Sequence, residues 1–322
     1  MPARAGRFIQ DMARIGHTDL HVGPFCLGGN VFGWSADRDG SFAVLDAYTA
    51  GGGDFIDTAD VYSAWVDGHT GGESETIIGE WLARRGRRDD VVIATKVGSH
   101  PDHRGLAPST IRAAAEASLR RLRTDHIDLY YIHRDEPDRP VEEILGALDE
   151  LVRAGKVRYI GASNIGADRL AGALAASERD GLARFEAVQP EYNLMSRGTY
   201  EGALADVAKR NGLSALPYYA LASGFLTGKY RPGTTVDSVR APRARRYLES
   251  ERGPRVLEAL DRVAGEQGVE PATVALAWLA AQPTVAMPIA SARTVEQLAP
   301  LMAVVDVTLT VEQLALLDRA SS

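Results

Sequence analysis

The chain is poor in cysteine, in uncompensated positive charge and in long apolar runs. Its 322 residues include one cysteine, Cys26, so no disulfide can form within it, which fits a reducing compartment such as the cytoplasm. Cys26 itself reads as a core residue, because free cysteine is habitually buried. Acidic residues outnumber basic ones by 43 to 36, for a formal net charge of −7. A broad nucleic-acid-binding face needs the opposite balance. No apolar run approaches the ~20 residues of a membrane-spanning helix, and the basic opening from Met1 to Gln10 has no apolar stretch behind it of the kind a secretory signal carries. These absences predict a protein that is neither inserted in a membrane, nor exported, nor spread over nucleic acid. With 45% hydrophobic and 25% charged residues, the composition is that of an ordinary globular protein able to bury a large core.

What the chain does have is alternation. After a small hairpin expected around Ile15 to Val22, short runs rich in Val, Ile, Phe and Tyr predict strands at Phe25–Gly28, Asp54–Thr58, Val91–Val97, Ile127–His133, Val157–Ala162, Ala187–Pro190, Ser214–Tyr218 and Val285–Pro288. Apolar periodicity between them predicts helices at Ser41–Ala50, Glu73–Arg84, Ser109–Leu122, Val141–Ala154, Ala167–Ser177, Thr199–Arg210 and Pro271–Ala281. Helix ends are marked by Pro108, Gly155 and Gly212. Eight strand–helix units over this length predict an α/β fold, a (β/α)8 TIM barrel formed as one domain over 1–322, with an N-terminal β-hairpin. The first strand is followed by Gly28-Gly-Asn-Val-Phe-Gly33, which lacks the spacing of the dinucleotide-binding fingerprint, so a doubly wound sheet fits less well. The stretch from Ala220 to Pro254 carries no strand signal and is expected to be a long functional loop after strand seven.

Four polar residues stand where apolar runs stop: Asp57 and Tyr62, Lys96, and His133. In a parallel barrel these strand ends meet at one mouth, which would gather a carboxylate, a phenol, an amine and an imidazole for proton transfer. A phenol with an ordinary pKa near ~10 needs a neighbouring cation to ionise. Lys96 can provide that charge, and Asp57 can hold Lys96 in place. Each residue also has an ordinary structural reading: a packing tyrosine, a turn cap, a strand-end lysine, a core histidine. Four together are harder to dismiss, because ionisable groups ending buried strands lose solvation unless they have partners.

Asp54-Phe-Ile-Asp-Thr-Ala-Asp-Val-Tyr62, Ile93-Ala-Thr-Lys-Val97, Asp128-Leu-Tyr-Tyr-Ile-His133, Gly155-Lys-Val-Arg-Tyr-Ile-Gly-Ala-Ser-Asn164 and Gly224-Phe-Leu-Thr-Gly-Lys-Tyr230 together resemble the aldo-keto reductase family in order and spacing, over nearly the whole chain. The resemblance implies a (β/α)8 barrel that binds NADPH without a Rossmann domain and reduces an aldehyde or ketone by hydride transfer. It implies Asp57, Tyr62, Lys96 and His133 as the catalytic tetrad, with Tyr62 the general acid. It further implies Gly29, Asn30 and Asp57 near the cofactor, Ser163, Asn164 and Gln189 on the nicotinamide carboxamide, and Tyr218 stacked on the ring. Leu221, Ser223, Gly224 and Leu226 would run over the pyrophosphate, with Lys229 and Arg240 as cations. Ser291, Arg293 and Gln297 would hold the adenosine 2′-phosphate, since a helix start with an arginine suits an anion. Pro300 and Leu301 depart from the family where an acidic residue and an asparagine often contact adenine.

The aromatic residues Phe32, Trp34 and Trp65 fall on the first two expected βα loops and would wall an apolar substrate site. Two other functions fit less well. Potassium-channel β subunits share the resemblance and would make the chain a redox-sensing regulatory subunit, but no channel-docking feature stands out. A metal-dependent barrel hydrolase would need clustered ligands, and His17, His21, His69, His100, His103 and His126 show no grouping along the chain.

Overall fold

The computed structural model describes residues 13–23, 25–238 and 240–322; the basic opening Met1 to Gln10 lies outside them. The strands are β1 (Ala13–Arg14), β2 (His21–Val22), β3 (Cys26–Gly28), β4 (Phe55–Asp57), β5 (Val92–Val97), β6 (Ser99–His100), β7 (His103–Arg104), β8 (Ile127–Ile132), β9 (Val157–Ser163), β10 (Phe185–Gln189), β11 (Ser214–Ala215) and β12 (Ile289–Ala290). The helices are α1 (Arg38–Ala50), α2 (Glu73–Arg85), α3 (Pro108–Leu122), α4 (Val141–Arg153), α5 (Ala167–Asp180), α6 (Ala203–Arg210), α7 (Ala241–Leu248), α8 (Arg252–Gln267), α9 (Pro271–Ala280), α10 (Val295–Met302) and α11 (Val311–Ser321).

Eight strands form one sheet in the order β11-β10-β9-β8-β5-β4-β3-β12, with every neighbouring pair parallel. The two edges come within hydrogen-bonding distance: Ala215 N donates to Thr284 O at 2.8 Å, Ala286 N to Ala215 O at 3.0 Å, and Ile289 N to Pro217 O at 2.9 Å. The architecture is therefore α/β with a curled parallel sheet, consistent with a (β/α)8 barrel. β1 and β2 pair antiparallel outside it, Ala13 opposite Val22.

Side chains divide between the two faces of the sheet as the two-residue period of a strand requires. Cys26, Phe55, Ala94, Leu129, Tyr131, Ala187 and Ile289 pack in one inner cluster, to which Ile15, Leu20 and Val22 add from the β1–β2 segment. Residues from strands across the whole sheet can touch one another only if it curls. The opposite face carries Leu27, Ile56, Ile93, Tyr130 and Ile160 into a larger cluster with the helices. Packing is close where strands lie against the inner cluster: a methyl group added at Gly161 would sit 2.5 Å from Tyr131 Cε1.

The expected strands from Phe25 to Pro190 differ from the observed ones only at their end residues. Beyond them prolines matter. β11 stops at Ala215, two residues before Pro217, and the last strand is not Val285–Pro288 but Ile289–Ala290, with Val285 making a single bridge to Ala215. Proline has no N–H to give a ladder. The expected helix Thr199–Arg210 begins only at Ala203, because Gly202 takes φ +91. The stretch from Ala220 to Pro254 is not a bare loop: it contains a 3-10 segment, Ala222–Thr227, then α7 and the start of α8.

Candidate active site

Asp57 is the last residue of β4, Lys96 the fifth of β5, and His133 the residue after β8; β4, β5 and β8 are neighbours in the sheet. The segment after Asp57 continues alongside β5 in the same direction, with Thr58 N on Ala94 O at 2.8 Å and Asp60 N on Lys96 O at 3.2 Å, which carries the chain past the strand ends to Tyr62. His133 is anchored by its own N–H on Val97 O at 2.9 Å.

The side chains meet. Lys96 Nζ donates to Asp57 Oδ2 at 2.6 Å, to Thr58 O at 2.7 Å and to the Tyr62 hydroxyl at 3.0 Å. An ammonium has three donors, so Lys96 is fully satisfied while 1% exposed. The second carboxylate oxygen, Asp57 Oδ1, accepts from Gln189 Nε2 at 2.9 Å. The His133 ring stands edge-on to Tyr62, centroids 6.1 Å apart. Its Nδ1 is buried without a hydrogen-bond partner.

Burial alone would strip the proton from Lys96, but Asp57 and then Tyr62 outweigh it and hold the amine charged, well above its ordinary value. Burial pushes the Tyr62 phenol up to about 12, with Lys96 pulling against it and Asp57 adding to it. Lys96 favours the phenolate, yet the net effect in the protein alone is a hydroxyl that stays protonated at neutral pH. His133 is driven down to about 3, first by burial and then by the charges of Lys96 and Arg134, so its imidazole is neutral.

These groups open into a cavity of about 990 Å³ that extends to α10 and is lined by Asn30, Asp57, Tyr62, Trp65, His133, Ser163, Asn164, Gln189, Tyr218, Leu221, Ser223, Gly224, Lys229, Arg240, Ser291, Arg293 and Gln297. Next to the tetrad, Asn164 takes φ +50, donates Nδ2 to His133 O at 2.9 Å, and accepts from the Tyr218 hydroxyl at 2.8 Å. Ser163 Oγ donates to Gln189 O at 2.8 Å. Further along, Ala222, Ser223 and Gly224 take φ of +46, +60 and +90 in succession. Such strained backbone collects at functional sites. Lys229 and Arg240 are both held below their ordinary values, by burial and by neighbouring cations that include Arg293 in each case. At the far end Ser291 Oγ donates to Asn30 Oδ1 at 2.6 Å and Arg293 N to Gln297 Oε1 at 3.1 Å, beside the start of α10. Pro300 and Leu301 give that end an apolar wall.

Several expected site residues fall elsewhere. Phe32 and Leu226 are fully buried in the large cluster, together with their apolar neighbours Val31 and Phe225. Gly29 is a packing position, where an added methyl would meet Ser74 Oγ at 2.9 Å. Trp34 stands behind Trp65 as an edge-on partner at 5.5 Å, with Arg240 5.6 Å from its ring centre. Conversely, Arg134, Glu191, Tyr219 and Arg243 line the cavity and were not anticipated. Arg134 could have been read from its place directly after His133, and Arg243 from the basic run Arg240 to Arg246. The histidines also group more than their spacing suggested: His69, His100 and His103 line a separate cavity of about 580 Å³. Among the described residues, however, no group of three His, Cys, Asp or Glu is placed to hold a metal.

Residues 24–322 match the profile of the Aldo/keto reductase family. The chain is 37% identical over 313 residues to the "Uncharacterized oxidoreductase YrpG" of Bacillus subtilis, covering 94% of each protein. It is 34% identical over 314 residues to "Protein tas" of Escherichia coli, covering 88% of this chain and 90% of that protein. It is 30% identical over 343 residues to the "Aryl-alcohol dehydrogenase [NADP(+)]" of Phanerodontia chrysosporium, covering 98% of this chain and 86% of that protein. A family match across the strands of the curled sheet and the buried Asp57–Lys96–Tyr62 cluster therefore agree, and the chain belongs to the aldo/keto reductase family of NAD(P)H-dependent oxidoreductases.

Proposed function

We propose that this chain, a single closed (β/α)8 barrel domain over 1–322, reduces an aldehyde or ketone to the alcohol with NADPH, Tyr62 serving as general acid. The observation that carries this reading is one cavity whose wall holds both Tyr62, its hydroxyl against a buried, charged Lys96, and three cations, Lys229, Arg240 and Arg293. Those cations disfavour one another's charge, which a polyanion would relieve. The donor set fits a dinucleotide: amides and a phenol at Asn164, Gln189 and Tyr218, turned backbone at Ala222 to Gly224, then cations. Bound there, reduced nicotinamide supplies a hydride to the carbonyl carbon.

The chain's residues manage the oxygen. As negative charge grows on it, the Tyr62 O–H donates a hydrogen bond and then its proton, and solvent later restores that proton. Lys96 stabilises the phenolate left behind, at a contact already formed at 3.0 Å. Asp57 and Gln189 keep Lys96 in register, and neutral His133 offers a hydrogen bond without a competing charge. Arg293 at the start of α10 supports NADPH over NADH, because a 2′-phosphate is the added anion; a relative named for NADP(+) points the same way. No helix of the described residues is long and apolar enough to cross a membrane, and the lone buried Cys26 fits the cytoplasm.

The test is turnover. Purified protein with a panel of aryl and alkyl aldehydes should consume NADPH faster than NADH, with one alcohol formed per cofactor oxidised. Tight NADPH binding with no consumption across the panel would overturn the reductase reading.

A further inference from the structure

We propose that the substrate is an aromatic aldehyde or ketone bearing an anionic substituent, and that Arg134 is the residue that selects it. This rests on the carbonyl-reductase reading and names its substrate class. At the tetrad end, the cavity wall includes Trp65, which is 51% exposed. Trp65 stands 6.2 Å from the Tyr62 ring at 63° and is braced from behind by Trp34, edge-on at 87°. An exposed indole fixed beside the proton donor is a platform for a ring, since aromatic pairs prefer such edge-to-face or offset contacts.

The same end is positively charged beyond what its acids balance. Arg134 follows His133, is exposed, lines the cavity and is close enough to both His133 and Tyr218 to act on them electrostatically. Its neighbouring acids are engaged elsewhere: Asp135 with Arg169 at 3.2 Å, Glu191 with Arg243 at 3.6 Å, and Asp57 with Lys96. Lys229, Arg240 and Arg293, which repel one another, answer the phosphates of the proposed cofactor, whereas Arg134 directly follows His133 on the cavity wall and is paired with no acid among the described residues. A guanidinium there matches a carboxylate or phosphate two-pronged. The reaction is unchanged: the carbonyl carbon takes the hydride of NADPH and the oxygen takes the Tyr62 proton.

The experiment compares kcat/KM for 4-carboxybenzaldehyde, 4-formylphenyl phosphate and the neutral methyl 4-formylbenzoate in wild type, Arg134→Gln and Arg134→Lys. We expect wild type to prefer an anionic aldehyde over the ester by about tenfold at low salt, as one partly screened charge contact allows. The ratio should fall toward unity in Arg134→Gln, survive largely in Arg134→Lys, and shrink with added salt. Whichever anionic aldehyde is preferred identifies the substituent as carboxylate or phosphate ester. Equal rates for acids and ester in wild type, or a ratio untouched by Arg134→Gln, would overturn the proposal. If no aldehyde turns over, the reductase reading falls instead. Calorimetric binding of 4-(hydroxymethyl)benzoate to the protein with NADP+ then judges Arg134 alone, supporting the proposal if Arg134→Gln weakens it and overturning it if not.

Discussion

Gln189 donates its side-chain amide to Asp57 Oδ1 at 2.9 Å, on the oxygen that Lys96 leaves free. Asp57 is 2% exposed, so each of its oxygens needs a donor. We expect Gln189→Met to lower unfolding stability by about 1.5–3 kcal/mol, the worth of a hydrogen bond to a buried charge, as measured by urea denaturation. An unchanged midpoint would show that Asp57 does not depend on Gln189.

Removing the Tyr62 hydroxyl should separate chemistry from binding. Tyr62→Phe is expected to lower kcat by about 10²–10⁴, the contribution of a positioned acid, while fluorescence titration gives a nearly unchanged Kd for NADPH. Near-normal turnover would remove Tyr62 from the mechanism.

Lys96→Met leaves the Asp57 carboxylate buried and unpaired, which costs about 3–5 kcal/mol. The double variant Asp57→Asn/Lys96→Met removes both charges and should regain much of that stability while remaining inactive. Thermal melts and kcat together decide it; a double variant as unstable as the single one would argue against this pairing.

Asp60 is fully buried, and neither carboxylate oxygen has a hydrogen-bond partner. Burial, followed by the nearby Glu75 charge, pushes its pKa up to about 8, with Arg121 opposing. The unfolded chain ionises Asp60 near pH 4, so the stability it contributes is present below that pH and is lost as pH rises toward 8. Asp60→Asn cannot ionise. Its Tm relative to wild type should therefore climb between pH 4 and pH 8, and a difference that stays flat over that range would refute the assignment.

Arg293→Ala is expected to raise KM for NADPH about tenfold, in keeping with one charge-assisted contact to phosphate, and to change KM for NADH little. Equal effects on both would move the 2′-phosphate site elsewhere.

The tetrad was legible because each member ends a run of buried apolar residues, and polar residues are costly there unless they meet. Its protonation state was not: whether Lys96 or burial wins at Tyr62 depends on depth, which linear sequence does not carry. The positions of the sheet strands β3, β4, β5, β8, β9 and β10 followed from their apolar runs, but the short pair β6–β7 was not expected, and Pro217 and Pro288 moved the ladders of the last two sheet strands. Neither α7 nor α8 was among the expected helices: Ala-Pro-Arg-Ala-Arg-Arg in α7 reads as a polar loop, although α8 carries an apolar period in Val256, Leu257, Leu260 and Val263. Phe32, Trp34 and Trp65 looked equivalent as loop aromatics; only packing distinguishes a core residue, a brace and an exposed wall.

Gly161 has consequences for anyone reshaping this protein. Because Tyr131 occupies the space where its first side-chain carbon would be, and Tyr131 in turn lies near enough to Asp57 to feel its charge, position 161 is closed to mutagenic libraries. Enlarging or retuning the pocket has to proceed from the rim, through Trp65, Arg134 and their neighbours, and leave the floor as it is.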